Sequence, residues 1–170
     1  MGSAIETETN PSPAEEAFRA RLRAANISDE SYLATDYLNH FNEIIMLIQL
    51  VPDMPEMLDE VLHWQPKTYP EHFRDSVFAD RDLAIEAYEK APSSCRKDLE
   101  ATVEKLNALV VDTAAGLNRL IESGDTAPLK LTCESAVSRM SSLIDVASAV
   151  IHGTYRTSAQ GEIDRLIAQT

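Results

Sequence analysis

The sequence predicts an all-α protein: a helical bundle with a long antiparallel helix hairpin and a tethered C-terminal short helix. Three observations predict it. The chain of 170 residues is 44% hydrophobic, enough for one domain with a real core. It holds only five glycines and four phenylalanines among many Ala, Leu, Ile and Glu, which favours helix over sheet. Apolar residues recur at alternating four- and three-residue steps through two long runs, and no stretch alternates with the two-residue period of a strand. The expected organisation is a disordered tail at 1–13, a bundle domain at 14–151, a linker at 152–159 and a docking helix at 160–170.

Residues 1–13 are polar and include Pro11 and Pro13. Pro13, followed by Ala14, Glu15 and Glu16, opens a first helix at about 14–25, with its acids in the turn where the helix dipole favours them. Asn26, Ile27 and Ser28 break it, and Ser28 is the expected cap of a longer helix at about 29–51. Leu33, Tyr37, Phe41, Ile44, Ile48 and Val51 form its apolar stripe, which Leu38, Ile45, Leu47 and Leu50 widen. Pro52 and Pro55 end that helix and open a short one through Trp64. Residues 65–70 read as a turn with Pro70 as the first helical residue, and 71–78 and 81–91 as short helices divided near Asp80.

The longest run, 94–123, places Leu99, Val103, Leu106, Val110, Thr113, Leu117 and Leu120 on a heptad seam broken only by Thr113. Gly124 suits the left-handed residue after a helix end. A second run, 129–151, carries Cys133, Val137, Met140, Ile144, Ala147 and Ile151 at the same spacing. So short a link makes the two helices antiparallel neighbours. The seam also offers a surface for a homodimer.

The formal net charge of −13 repels phosphate backbones and anionic lipid, so neither nucleic acid nor membrane is an expected partner, and a partner with a basic patch fits better. Cys95 and Cys133 have no metal-like spacing and read as two buried thiols in a reducing compartment. No basic region precedes an apolar run at the N-terminus, and the apolar stretch 44–51 is too short to span a bilayer, which predicts a cytoplasmic protein. A Gly-rich phosphate loop, a paired-cysteine motif and a local Ser/His/Asp signature are all missing, and no cofactor is expected.

The functional signal lies at 159–167, which reads Ala-Gln-Gly-Glu-Ile-Asp-Arg-Leu-Ile. As a helix, it sets Ile163, Leu166 and Ile167 on one face to fill an apolar groove, with Glu162 and Asp164 placed to meet lysines. Gln160, Glu162, Ile163, Asp164 and Leu166 resemble the segment Ser-Gln-x-Glu-Ile-Asp-x-Leu-Leu of flagellar motor switch proteins of the FliM type, which binds a phosphorylated chemotaxis receiver. Phosphatases of the CheZ type carry a related C-terminal helix. The resemblance implies a non-enzymatic regulator or adaptor that binds a response-regulator receiver domain in chemotaxis or motility. Ile167 is a conservative change. Ala159 replaces a capping serine, Gly161 weakens the free helix by about 1 kcal/mol, and Arg165 stands where the family often has a small residue. The alternative is that Ser158 caps a helix that folds back onto the bundle.

If the tail holds a receiver, the body has a candidate pair for acting on its phosphoryl group. The Asp-x-x-x-Gln of CheZ-type phosphatases is missing from the heptad helix. Glu104 and Asn107 match the Glu-x-x-Asn of CheC- and CheX-type phosphatases, whose α/β fold would make the match convergent. There the acid would pair with the receiver's lysine and the amide would orient water towards the acyl phosphate. The alternative is a solvated helix face. A third reading is a scaffold or metal-binding bundle without a receiver partner. Glu60 and His63 have the Glu-x-x-His spacing of di-iron bundles, and His40 and Glu43 present the reverse order, but no second copy exists, so no metal site is predicted. His40 also lacks the following lysine of histidine phosphotransfer bundles. Trp64, Tyr69, Phe73 and Phe78 read as a satellite core. The mix of proline, histidine and aromatic residues over 36–91 suggests a shaped surface with no ligand indicated.

Overall fold

The computed structural model describes residues 10–157 and Ala168. These residues form seven α-helices and three short 3-10 segments, with no strand among them. α1 (Pro13–Ala24) starts where Ser12 accepts a hydrogen bond from the Glu15 amide at 3.2 Å, and Glu15 and Glu16 occupy its first turn.

The expected helix at 29–51 begins ten residues late. A 3-10 segment, Thr35–Leu38, leads into α2 (Asn39–Leu50). Asn26 and Tyr32 take φ of 59° and 61°, a left-handed conformation that no α-helix accommodates. The Ser28 hydroxyl caps a turn instead, accepting from the amides of Glu30 and Ser31 at 3.3 Å each. Distant groups hold this loop in place. The Ser31 hydroxyl donates to the Ile151 carbonyl, and the Ala34 amide donates to the Tyr69 hydroxyl at 2.8 Å. The apolar stripe survives the change of backbone: Leu33, Tyr37, Phe41, Ile44, Ile48 and Val51 are all buried, whereas Leu50 is 43% exposed.

A 3-10 segment, Pro55–Met57, precedes α3 (Leu58–His63), which buries Leu58 and Val61. α4 (Tyr69–Asp75) starts two residues before the expected 71 because Thr68 and Glu71 close a capping box, making Pro70 its second residue. α5 (Arg81–Lys90) follows. The cluster of Trp64, Tyr69, Phe73 and Phe78 is no satellite: Tyr37 packs edge-on to Phe41 at 5.8 Å and to Tyr69 at 5.2 Å, joining it to the main core.

α6 (Ser93–Glu122) and α7 (Leu129–Ile151) are the two long helices, about 45 Å and about 35 Å at 1.5 Å per residue. They pack on each other. The link at 123–128 cannot carry the chain back along either helix, so they run antiparallel. Gly124 ends α6 at φ 72°. Six seam residues of α6 are buried and Leu120 is half-buried. In α7 four of the six seam residues are buried, Val137 and Ile144 are half-buried, and Leu129, Ala136, Leu143 and Val150 join the buried face, because α2 packs on α7 beside α6. The seam is filled from within the subunit, so it is not the exposed dimer surface expected from sequence. Cys95 and Cys133 are buried free thiols.

The expected linker at 152–159 is partly a packed element. Gly153 turns the chain at φ 74°, and a 3-10 segment, Thr154–Thr157, buries Tyr155 against the bundle. The candidate partner-binding residues Gln160, Glu162, Ile163, Asp164, Leu166 and Ile167 lie outside the described residues, as does most of the expected N-terminal tail. No described helix is long and apolar enough to cross a membrane.

Candidate functional site

A cleft of about 290 Å³ opens between α6 and the segment that runs from residue 66 into α4. Its first wall follows from two local devices. The Tyr37 hydroxyl donates to the Lys67 carbonyl at 2.7 Å, which holds the extended segment before α4. The capping box then starts the helix, with the Thr68 amide donating to Glu71 Oε2 at 2.8 Å and holding that carboxyl below the usual range. Tyr69, the first residue of α4, stacks on Tyr88 of α5 at 4.7 Å and 13°.

α6 supplies the opposite wall. Leu99 and Val103 belong to its seam and are buried. One residue further round, Glu100, Glu104 and Asn107 recur at four- and three-residue steps, which puts them on one stripe beside the seam. Glu100 and Glu104 are exposed and Asn107 is half-buried. The Tyr88 hydroxyl donates to Glu100 Oε1 at 2.5 Å, and burial together with this bond pushes its phenol up to about 12. Burial likewise pushes Tyr37 and Tyr69 up, so all three phenols stay neutral in ordinary buffers.

Two features give the cleft its chemical character. Asn107 Oδ1 is fully enclosed and has no hydrogen-bond partner among the described residues. Most buried polar atoms are paired, so this oxygen is an exception, and with almost no accessible surface it is not a contact point for a ligand in the cleft. The other feature is the sign of the field. Glu71, Glu100 and Glu104 line the cleft together with one cation, Lys67, whose ammonium is 3.0 Å from Asp75. The site therefore presents acceptors and negative charge. It contains no nucleophile beside a base.

Glu104 and Asn107 thus line the same cleft, Glu104 from a solvent-exposed position and Asn107 from a half-buried one. The structure does not bring the metal candidates together. His40 is buried, donates through Nε2 to the Gln65 carbonyl at 2.9 Å and stacks on Trp64 at 4.6 Å. Glu43, Glu60 and His63 are exposed, and His63 Nδ1 lies 2.6 Å from the Asp59 carbonyl of its own helix. Among the described residues no three His, Cys, Asp or Glu side chains converge to hold a metal. His40 and His72 instead lie 6.2 Å apart, and burial pushes both imidazoles down. Sequence reasoning missed Tyr37, Lys67, Tyr88 and Glu100. Only Glu100 had a legible signal, its four-residue step to Glu104. Compared with family models, with curated proteins and with solved structures, the chain matches none.

Proposed function

We propose that this protein is a signalling regulator that binds a response-regulator receiver domain through residues 159–167, in chemotaxis or motility. One observation carries the reading: Gln160, Glu162, Ile163, Asp164 and Leu166 reproduce the acidic-apolar pattern of a receiver-binding peptide. The anchoring of Tyr155 is compatible with it, because that buried side chain precedes the motif by only a few residues. The test is a titration of the full-length protein with phosphorylated and unphosphorylated receivers from the same cell. Saturable binding that favours the phosphorylated form, and that Ile163→Ala with Leu166→Ala abolishes, supports the reading. Lack of saturation with every receiver removes it.

A second reading rests on the body of the chain: a receiver aspartyl-phosphate phosphatase using Glu104 and Asn107. The observation favouring it is that both residues line one cleft. In this reading Glu104 pairs with the receiver's lysine and Asn107 orients water in line with the acyl phosphate. Asn107→Ala then abolishes accelerated dephosphorylation while binding through the tail persists. A wild-type protein that leaves the dephosphorylation rate unchanged rules this out.

A further inference from the structure

We infer that the outer face of α2 docks a basic amphipathic helix of a partner protein, along a stripe made by Met46, Leu50 and Met54. The sequence makes α2 apolar on both sides, with Glu43 as its only Asp, Glu, Lys or Arg. Phe41, Ile44 and Ile48 form the inner face and are fully buried. Met46 and Leu50 stand one turn apart on the opposite face, 60% and 43% exposed. The Met54 amide donates to the Leu50 carbonyl at 2.8 Å, which carries the helical turn past the end of α2 and sets Met54, also exposed, next in line. A helix that is apolar all round is normally covered all round. Here α7, α3 and the two flanking 3-10 segments pack on α2, and the stripe is left in water. A groove of about 440 Å³ lies between the end of α2 and α7, with half-buried Val137 in its lining. Flexible methionine side chains suit such a surface to an incoming helix.

Charge selects the occupant. Between Asn42 and His63 the chain carries Glu43, Asp53, Glu56, Asp59 and Glu60, all exposed, and no lysine or arginine. Glu43 precedes Met46 by three residues and Asp53 follows Leu50 by three, so both border the stripe. On the α7 side of the groove Lys130 and Glu134 offset each other. A partner helix with an apolar ridge flanked by lysine or arginine complements this rim. A second copy does not, because a two-fold contact sets the same acids against one another. Three side chains are also few beside the roughly 20–30 residues per side of a standard interface. The chain's own segment 160–167 fits poorly too, since it brings Glu162 and Asp164 against one Arg165. The inference stands apart from the receiver reading, which concerns residues 159–167.

The probe is a labelled amphipathic leucine–lysine peptide of about 18 residues, titrated with the full-length protein and read by fluorescence anisotropy. Its comparators are an isomer scrambled to lose the apolar face and a leucine–glutamate version of the same pattern. Only the amphipathic leucine–lysine peptide is expected to saturate. Met46→Gln with Leu50→Gln should weaken it about tenfold, with urea unfolding checking that the fold is kept. Val111→Gln with Leu131→Gln, at exposed apolar positions of α6 and α7, should leave it unchanged. Glu43→Gln with Asp53→Asn should weaken it severalfold, whereas Asp82→Asn with Glu89→Gln, two exposed acids of α5, should not. No saturation, equal loss in the two apolar pairs, or equal loss in the two acidic pairs overturns the site. Equal binding of the leucine–glutamate or scrambled peptide overturns a basic helix as the occupant. A dimer in analytical ultracentrifugation that Met46→Gln with Leu50→Gln dissociates assigns the stripe to a second copy. Tighter peptide binding after Ile163→Ser with Leu166→Ser assigns it to the chain's own C-terminal segment. Either result overturns the partner helix.

Discussion

Replacing Asn107 by leucine is expected to stabilise the fold, the reverse of what most substitutions on a packed helix do. The reasoning starts from the enclosed Oδ1, which finds no donor among the described residues. Leaving such a group unsatisfied costs about 1–3 kcal/mol. Leucine has a similar outline, removes the orphaned carbonyl and joins a cleft lining that includes Leu99 and Val103 of its own helix and Tyr69 of the other wall. It is also a better helix former than asparagine by a few tenths of a kcal/mol, and position 107 lies well inside α6. The net gain should be about 1–2 kcal/mol, which for a chain of this size raises Tm by roughly 2–8 °C. Urea unfolding followed by far-UV circular dichroism should show a higher midpoint with an unchanged slope. Leu106→Ala, one residue earlier in the fully buried seam, serves as the contrast and should lose about 2–5 kcal/mol. A lower midpoint for Asn107→Leu would mean that the amide oxygen is satisfied in solution and would refute this reasoning.

Burial lowers the pKa of His40 and of His72 below 6.5, so native stability is complete above that value and falls as pH drops from about 6.5 towards the lowered native values, because the unfolded chain takes up protons first. His40→Gln keeps a donor for the Gln65 carbonyl and removes one of the two titrations, so its Tm should decline less than wild type between about pH 7 and about pH 5.5; parallel curves would refute a buried neutral His40. Gly124→Ala should cost about 1 kcal/mol in thermal unfolding, from left-handed strain alone, because open space surrounds an added methyl there. Gly153→Ala has the same strain and also a collision with the Glu30 carboxylate, so it should cost more, and combining it with Glu30→Ala should recover the difference. Tyr155→Ala should lose about 3 kcal/mol in urea unfolding, while a loss near zero would mean that the Thr154–Thr157 turn is not docked.

Some of the candidate site was legible in advance and some was not. The Glu104–Asn107 pair can be read from a single helix, since its three-residue step and its offset from the seam are local quantities. The cleft they face cannot. Its other wall comes from Tyr37, Lys67, Tyr69 and Tyr88, which lie on separate elements and meet only through a tyrosine-to-backbone bond and a ring stack. The same limit explains why Glu60, His63, His40 and Glu43 suggest a metal set by spacing alone. One helical turn separates each pair, but nothing in the spacing says that α2 buries His40 beneath Trp64 while α3 leaves His63 on the surface.

What the amino-acid sequence determined by itself was whatever neighbours along the chain decide: the all-α class, the start and stop of α6 and α7 within a residue or so, the reversal at Gly124, and the identity of the core stripe at Leu33, Tyr37, Phe41, Ile44 and Ile48. Helix propensity, heptad spacing and glycine's access to positive φ all act over a few residues. Only the tertiary structure decided that residues 25–34 are a loop and that 152–157 fold onto the bundle. Those outcomes turn on a hydrogen bond from Ser31 to the carbonyl of Ile151 and on the burial of Tyr155, contacts between groups remote in sequence, whose strength exceeds the small local preference for continuing a helix or leaving a tether free.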